Sequence, residues 1–303
     1  MDHLDQLRCL LAVIDAGGFA AAARRLGVSA PAATRAIAAL EHRLGVLLLQ
    51  RSTRLVRPTE AGERFAQDCR RILAELDEAE GAAAGQQGEA QGLLSLTAPQ
   101  MFGRLHMAPI VLDFLREQPR VQVRSLFVDR LVHLLGEGMD LALRIAHLPD
   151  SGLTALPVGS LRRLVVAAPD YLARHGTPQT PQDLTLHHAI GFSFDAVGVA
   201  PWKFRGDAQV LPQLSWISNN NEVCIAAAEA GHGLARCLAY QAADSLRAGR
   251  LAIVLAEHEL PPVPVHLVYP AGRRAPAKVR AFIDFAAARL RAEPVLGGTQ
   301  WTV

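Results

Sequence analysis

Cysteine is scarce in this 303-residue chain: four residues, Cys9, Cys69, Cys224 and Cys237, far apart and with no C-x-x-C pair. That spacing argues against a disulfide framework and against a zinc site, and leaves packing as the role of each thiol. Lysine is scarcer still, with Lys203 and Lys278 alone, so the cationic chemistry is almost entirely guanidinium. No apolar run approaches the roughly 18 residues that span a bilayer. No basic-then-apolar leader opens the chain, where Asp2, Asp5 and Asp15 stand instead. These absences predict a cytoplasmic protein without a membrane partner.

Signatures of catalysis are missing too. Gly191-Phe192-Ser193-Phe194-Asp195 lacks the last glycine of a hydrolase elbow, and Gly231-His232-Gly233 lacks the third glycine of a dinucleotide loop. There is no P-loop or H-E-x-x-H, and His187-His188 and the other histidines follow no ligand spacing. The expectation is a protein that is not an enzyme, with no cofactor and no metal.

What is present begins with charge distribution. Net charge is only +2, yet residues 1–58 hold eight arginines against Asp2, Asp5, Asp15 and Glu41. Attraction to phosphate is the main term in DNA affinity, so a basic cluster of this kind suits a nucleic acid.

Leu4, Leu7, Leu11 and Ile14 have the spacing of a helix with one buried stripe, closed by Gly17-Gly18. A second helix fits Phe19 to Leu26, ending at Gly27. Ser29 can cap a third, with Pro31 tolerated in its first turn and Ala33, Ile37, Leu40 and Leu44 buried. Pro31, Thr34, Arg35, Ala38 and His42 then face outward. Two short helices around a glycine turn, the second with a polar and cationic outer face, form the helix-turn-helix pattern, although an ordinary three-helix core shares that periodicity.

Leu47-Leu48-Leu49-Gln50-Arg51 and Arg54-Leu55-Val56-Arg57 read as strands joined by Ser52-Thr53. A hairpin bearing Arg51, Arg54 and Arg57 at this point makes a wing for flanking phosphates or an adjacent minor groove; the plainer reading is a solvated basic hairpin. The candidate DNA contacts are Ser29, Pro31, Thr34, Arg35, Arg51, Thr53 and Arg54. A long helix follows, with Thr59 as its cap. Phe65, Cys69, Ile72, Leu76, Ala79 and Ala83 lie along it at alternating intervals of four and three residues, a heptad seam. With the flexible Gly85-Gln86-Gln87-Gly88 beyond, the seam predicts dimerisation through Phe65, Cys69, Ile72 and Leu76.

The first 62 residues resemble the DNA-binding end of the LysR-type transcriptional regulators. Phe19, Ala21-Ala22, Leu26, Val28-Ser29, Ala32, Ile37, Leu40-Glu41, Leu44-Gly45, Arg51, Thr53-Arg54 and Pro58-Thr59-Glu60-Ala61-Gly62 carry the likeness in order and without a gap. Two departures stand out. Leu48-Leu49-Gln50 replaces the usual Leu-Phe before the wing arginine, and Ala30, Pro31 and Ala36 occupy positions where polar residues are common, so the operator sequence does not transfer.

From Gly92 onward strands alternate with helices, which predicts mostly parallel sheets. Strands are expected at Leu93–Thr97, Val121–Arg124, Leu141–Arg144, Leu164–Ala167 and Val265–Val268, with helices over Phe102–Leu115 and through Leu131-Leu134-Leu135. Pro109, Phe114, Gly138-Met139-Asp140-Leu141-Ala142, Pro169-Asp170-Tyr171-Leu172, Pro181-Gln182-Asp183-Leu184 and Gly231-His232-Gly233-Leu234-Ala235 resemble the same family's effector domain.

The resemblance implies an α/β protein in three parts. They are a winged helix-turn-helix at 1–58, a linker helix and hinge at 59–91, and a two-lobed domain like a periplasmic solute-binding protein at 92–303. Lobe one would be about 92–163 plus 268–303 and lobe two about 164–267. Ligands of such sheets bind beyond strand carboxyl ends, near helix N-termini. The effector candidates are therefore Pro99, Gln100 and Met101 at one junction, Ser218, Asn219 and Asn220 at another, and Arg144 as a charge for an anion. The implied partners are double-stranded DNA with an imperfect palindromic operator, a small-molecule effector, and further copies of the chain as a homodimer or homotetramer. A small-molecule binding protein without transcriptional output is the alternative.

Overall fold

The computed structural model describes residues 2–51, 56–83, 89–194, 198–270 and 275–297. Contacts divide the chain into two compact units, Met1–Gly92 and Leu93–Val303.

The first unit contains α1 (His3–Ala16), α2 (Phe19–Leu26), α3 (Ala30–Leu44), the strands β1 (Leu49–Arg51) and β2 (Val56–Pro58), and α4 (Glu60–Ala83). The Asp2 carboxylate caps α1 by accepting from the Asp5 amide at 2.8 Å, and the Asp5 side chain returns the bond. Ser29 caps α3 by accepting from the Ala32 amide at 3.3 Å. Gly45 stops that helix at φ +68°, a left-handed conformation that costs glycine little.

Burial on α1 is broader than the single stripe anticipated. Cys9, Leu10 and Val13 are fully buried, while Leu4, Leu11 and Ile14 lie partly covered at its margins. The cause is that α2, α3 and α4 all pack on this helix. On α3, Ala33, Ile37 and Leu40 are buried as expected. Leu44 is instead 39% exposed, because the helix ends there and leaves the core.

The first half of α4 also belongs to this core. Cys69 and Leu73 are buried in it and Phe65 packs against it. This corrects the dimer seam at Cys69, which has no exposed surface, whereas Phe65 packs on its own core but is only half-buried. A stripe at intervals of three and four fits an intramolecular groove as well as a coiled coil. Ile72 remains 46% exposed and Leu76 half-buried. The expected hinge at Gly85–Gly88 lies outside the described residues.

The second unit is built on two five-stranded sheets. The chain runs through β3 (Gly92–Ala98), α5 (Gln100–Phe102), a π-helical turn (Gly103–Met107), α6 (Ala108–Glu117), β4 (Val121–Phe127), β5 (Leu141–Ile145) and β6 (Leu153–Leu161). It then crosses into β7 (Arg163–Ala167), α7 (Pro169–His175), β8 (His188–Phe192), the short β9 (Trp202–Lys203) and β10 (Gln209–Val210), and β11 (Gln213–Ser218). Next come α8 (Asn221–Glu229), β12 (Leu234–Leu238), α9 (Ala239–Arg247) and β13 (Ala252–Val254), before β14 (Val263–Pro270) and α10 (Ala277–Ala292) return to the first sheet. The sheet orders are β4-β3-β5-β14-β6 and β11-β8-β12-β7-β13.

Three expectations are corrected here. The sheets are mixed rather than mostly parallel: β7 and β14, which enter each sheet from the other lobe, run against both neighbours. The strand at 263–270 lies in the first sheet, so the return crossing precedes Val263 instead of following residue 267. No helix forms through Leu131, Leu134 and Leu135. Residues 131–133 run without helical pairing and 134–138 form a turn, in which the Glu137 amide donates to the His133 carbonyl at 2.9 Å, with Val132 and Leu134 buried and Leu131 and Leu135 exposed. Two Arg130–Glu137 hydrogen bonds, 2.8 and 2.6 Å, close that segment.

The two crossings between lobes are tied together. Arg162, between β6 and β7, grips Glu259 through Nε and Nη2 at 2.9 and 2.8 Å, with both side chains largely buried. A bidentate pair of this kind fixes direction as well as distance.

All four cysteines are buried thiols. Burial, the dominant cause, pushes Cys69 and Cys224 up to about 11 and Cys237 up to about 12. Since the thiolate is the reactive form, native protein at neutral pH is expected to leave an aromatic disulfide reagent untouched. Denaturant should release all four thiols. Rapid reaction of any thiol before unfolding would contradict this packing.

Candidate nucleic-acid interface and effector cleft

The outer face of α3 carries the sequence-predicted DNA contacts in unequal states. Pro31 and Arg35 are exposed, with Ala38, Ala39, His42 and Arg43 continuing that face. Ser29 is exposed but its oxygen serves as the helix cap. Thr34 is half-buried, and its hydroxyl donates to the Ala30 carbonyl at 3.0 Å. In the wing β1 and β2 pair antiparallel, with Gln50 opposite Arg57 and Arg51 opposite Val56. Gln50 and Arg57 are both exposed. Thr53 and Arg54 lie outside the described residues.

What sets the angle between helix and wing is a residue that sequence reasoning counted as a charge and as one position of the family likeness. Glu41 is 7% exposed. Its Oε1 accepts from the Leu48 amide at 2.8 Å and the Leu49 amide at 3.0 Å. The same loop is held from its other side by Thr59, whose hydroxyl donates to the Leu47 carbonyl at 2.8 Å and whose amide donates to the Leu48 carbonyl at 2.9 Å. Thr59 Oγ1 also accepts from the Gly62 amide at 2.9 Å, so the expected cap of α4 doubles as a clamp. A Cβ on Gly62 would stand 1.9 Å from the Leu48 carbonyl oxygen, so only glycine allows this approach. The Glu41, Thr59 and Gly62 positions were present in the sequence, but their partners are backbone groups that no side-chain pattern reveals.

The same arrangement disposes of the negative charge. Asp2 and Asp5 cap α1, Asp15 pairs with Arg70 at 2.5 Å, and Glu41 is buried. No acidic side chain stands on the outer face of α3, where Arg35, His42 and Arg43 are exposed. A one-signed surface of this kind attracts polyanions.

In the second unit the two predicted junctions are linked. Arg104, one turn beyond Gln100, pairs with Glu222 in the first turn of α8, which follows Asn220. The ion pair thus spans the lobes, with the Phe102 and Tyr240 rings 5.2 Å apart nearby in the same manner. The polar groups are already engaged locally. Asn220 Oδ1 accepts from the Glu222 and Val223 amides, Ser218 Oγ accepts from the Asn220 amide at 3.1 Å, and Asn219 is exposed.

At the first junction Pro99 and Met101 are half-buried and Gln100 is exposed. The Gln100 amide, at this helix N-terminus, donates to Asp129 Oδ1 at 3.0 Å. Burial pushes the Asp129 carboxyl up, and the Gln100 amide opposes that shift. The Arg144 guanidinium donates instead to the Val132 carbonyl at 3.0 Å. Among the described residues, no cluster of His, Cys, Asp or Glu could hold a metal ion, and no helix is long and apolar enough to cross a membrane.

A winged helix-turn-helix with a basic outer face, followed by a hinged two-lobed α/β unit, defines a DNA-binding transcription regulator with a small-molecule-binding domain. Residues 4–63 match the bacterial regulatory helix-turn-helix proteins of the lysR family, and residues 87–291 match the LysR substrate binding domain. The chain belongs to the LysR family of transcriptional regulators.

Among curated relatives it is 33% identical over 297 residues to the regulator PtxR of Pseudomonas aeruginosa, covering 96% of this chain and 94% of that one. It is 32% identical over 291 residues to the probable regulator LtrA of Klebsiella pneumoniae, covering 94% of each. Among solved structures, CrgA of Neisseria meningitidis, a LysR-type transcriptional regulator, superposes with TM-score 0.60 at 27% identity over 96% of this chain and 99% of that one. The Vibrio cholerae virulence activator AphB gives TM-score 0.58 at 25% identity over 95% and 99%.

Glu41→Ala is expected to lower the stability of the first unit by about 2–4 kcal/mol, because two buried amides lose a charged acceptor. Urea denaturation of the full chain measures it, and an unchanged first transition would contradict the clamp.

Proposed function

We propose that α3 enters the major groove of operator DNA, with Ser29, Pro31, Thr34 and Arg35 approaching base edges and the nearest phosphates. Arg51, Thr53 and Arg54 of the wing then hold flanking phosphates or the adjacent minor groove. The observation that carries this reading is the segregation of charge: every acid of residues 1–58 is capped, paired or buried away from the outer face of α3.

Two copies pair through the exposed stretch of α4 around Ile72 and Leu76, which sets their recognition helices on half-sites of an imperfect palindrome. Family likeness supports tetramers built from such dimers. The operator binding takes place in the cytoplasm, where the DNA is, and the chain works by binding rather than by catalysis. Effector entry between the lobes, near Pro99, Gln100, Met101, Ser218, Asn219 and Asn220, competes with the Arg104–Glu222 pair and the Asp129 contact. Only an effector with different affinity for the two lobe arrangements changes the DNA complex.

Arg35→Ala is expected to weaken binding to DNA from upstream of its own gene by about tenfold, read by fluorescence anisotropy, with a shallower salt dependence. Wild-type affinity and salt slope in that variant would remove α3 from the interface. Leu76→Glu places a charge in the pairing surface and is expected to shift the sedimentation profile toward monomer. An unaltered profile would assign dimerisation to another surface.

A further inference from the structure

Arg144 and His266 are cross-strand partners in the antiparallel ladder of β5 and β14. Residues directly opposite share one face of a sheet, with Cβ atoms about 5 Å apart. On that face Ala142 and Val268, two residues along each strand, pack under Val132 and Leu134.

Arg144 is half-buried and has no carboxylate partner among the described residues. Its Nη2 donates to the Val132 carbonyl at 3.0 Å, and Nε and Nη1 have no protein partner among the described residues. A desolvated guanidinium without a counter-charge is costly, and burial draws Arg144 below its ordinary value. Beside it, His266 Nδ1 is the one buried side-chain nitrogen or oxygen without a hydrogen-bond partner among the described residues. The neighbouring charge that acts on His266 is His147, again a base rather than an acid.

We propose that Arg144 and His266 form a binding site for the carboxylate of a small organic acid, the guanidinium offering its free donors and the imidazole donating from Nδ1. The proposal rests on the reading of the second unit as an effector-binding domain. It moves the acid away from Gln100, whose amide Asp129 already occupies. Burial, and then His147, hold His266 below its ordinary value, which favours the neutral ring and leaves the guanidinium of Arg144 as the fixed charge of the site. One positive charge with a planar fork of donors matches a monoanionic carboxylate better than a phosphate dianion.

The test is histidine-labelled NMR of the full chain, with acetate as the probe at constant ionic strength. The His266 resonance is identified by its loss in His266→Gln. Acetate is expected to move it along a saturating curve, and Arg144→Gln to weaken that binding by about tenfold. If Arg144→Gln does not fold, Arg144→Lys serves, since it keeps the charge and loses the fork. A response that is linear, matched by chloride, or unaltered in the arginine variants would overturn the proposal. So would inorganic phosphate saturating more tightly than acetate. Binding is read without DNA, so operator affinity that responds to no ligand tests the regulatory reading separately.

Discussion

One buried carboxylate fixes how this protein presents itself to DNA. Glu41, on the inner side of α3, accepts from two consecutive amides at the base of the wing. A charge of this kind is tolerated in a core only when its oxygens are hydrogen-bonded, and these two backbone donors meet part of that need. Thr59 grips the carbonyls of the same loop and starts α4, while Gly62 lets that helix close against the Leu48 carbonyl. Helix, wing and linker helix are therefore registered on one short stretch, Leu47-Leu48-Leu49.

Electrostatics follows from the same construction. Burying Glu41 removes the one acidic side chain of α3 from its surface, and the aspartates of α1 are consumed by a cap and by Arg70. The remaining outer face is cationic and nearly devoid of amides and hydroxyls free to read bases: Ser29 is a cap, Thr34 bonds its own helix, and Ala38 and Ala39 continue the row. Such a face favours phosphate contacts and close approach over dense hydrogen-bonded readout.

The first unit was largely legible because glycines at 17, 27 and 45 and the cap at Ser29 punctuate helices whose buried residues recur at helical spacing. Its clamp was not legible, since the two amides that Glu41 accepts from lie seven and eight residues away. The heptad reading took in Cys69, which is buried in its own chain, because one groove of that core demands the same spacing as a partner helix. In the second unit the strands were visible as apolar runs, but their directions were not. Whether Val265–Val268 belongs to one lobe or the other depends on where the chain crosses back, and hydropathy carries no trace of that. The effector junctions were placed by strand and helix order. That Asp129 fills the Gln100 amide depends on a residue about thirty positions away, brought close only by the fold.

In the function proposed above, paired winged-helix modules, held in one orientation by the Glu41 clamp, read operator DNA with α3. Hydroxyl-radical footprinting of the DNA upstream of its own gene addresses it most directly. Two protected half-sites are expected on one face of the duplex, their centres separated by about 10 base pairs or a multiple of it, with the minor groove flanking each also protected. A single protected tract, or protection that spreads evenly along the fragment, would contradict it.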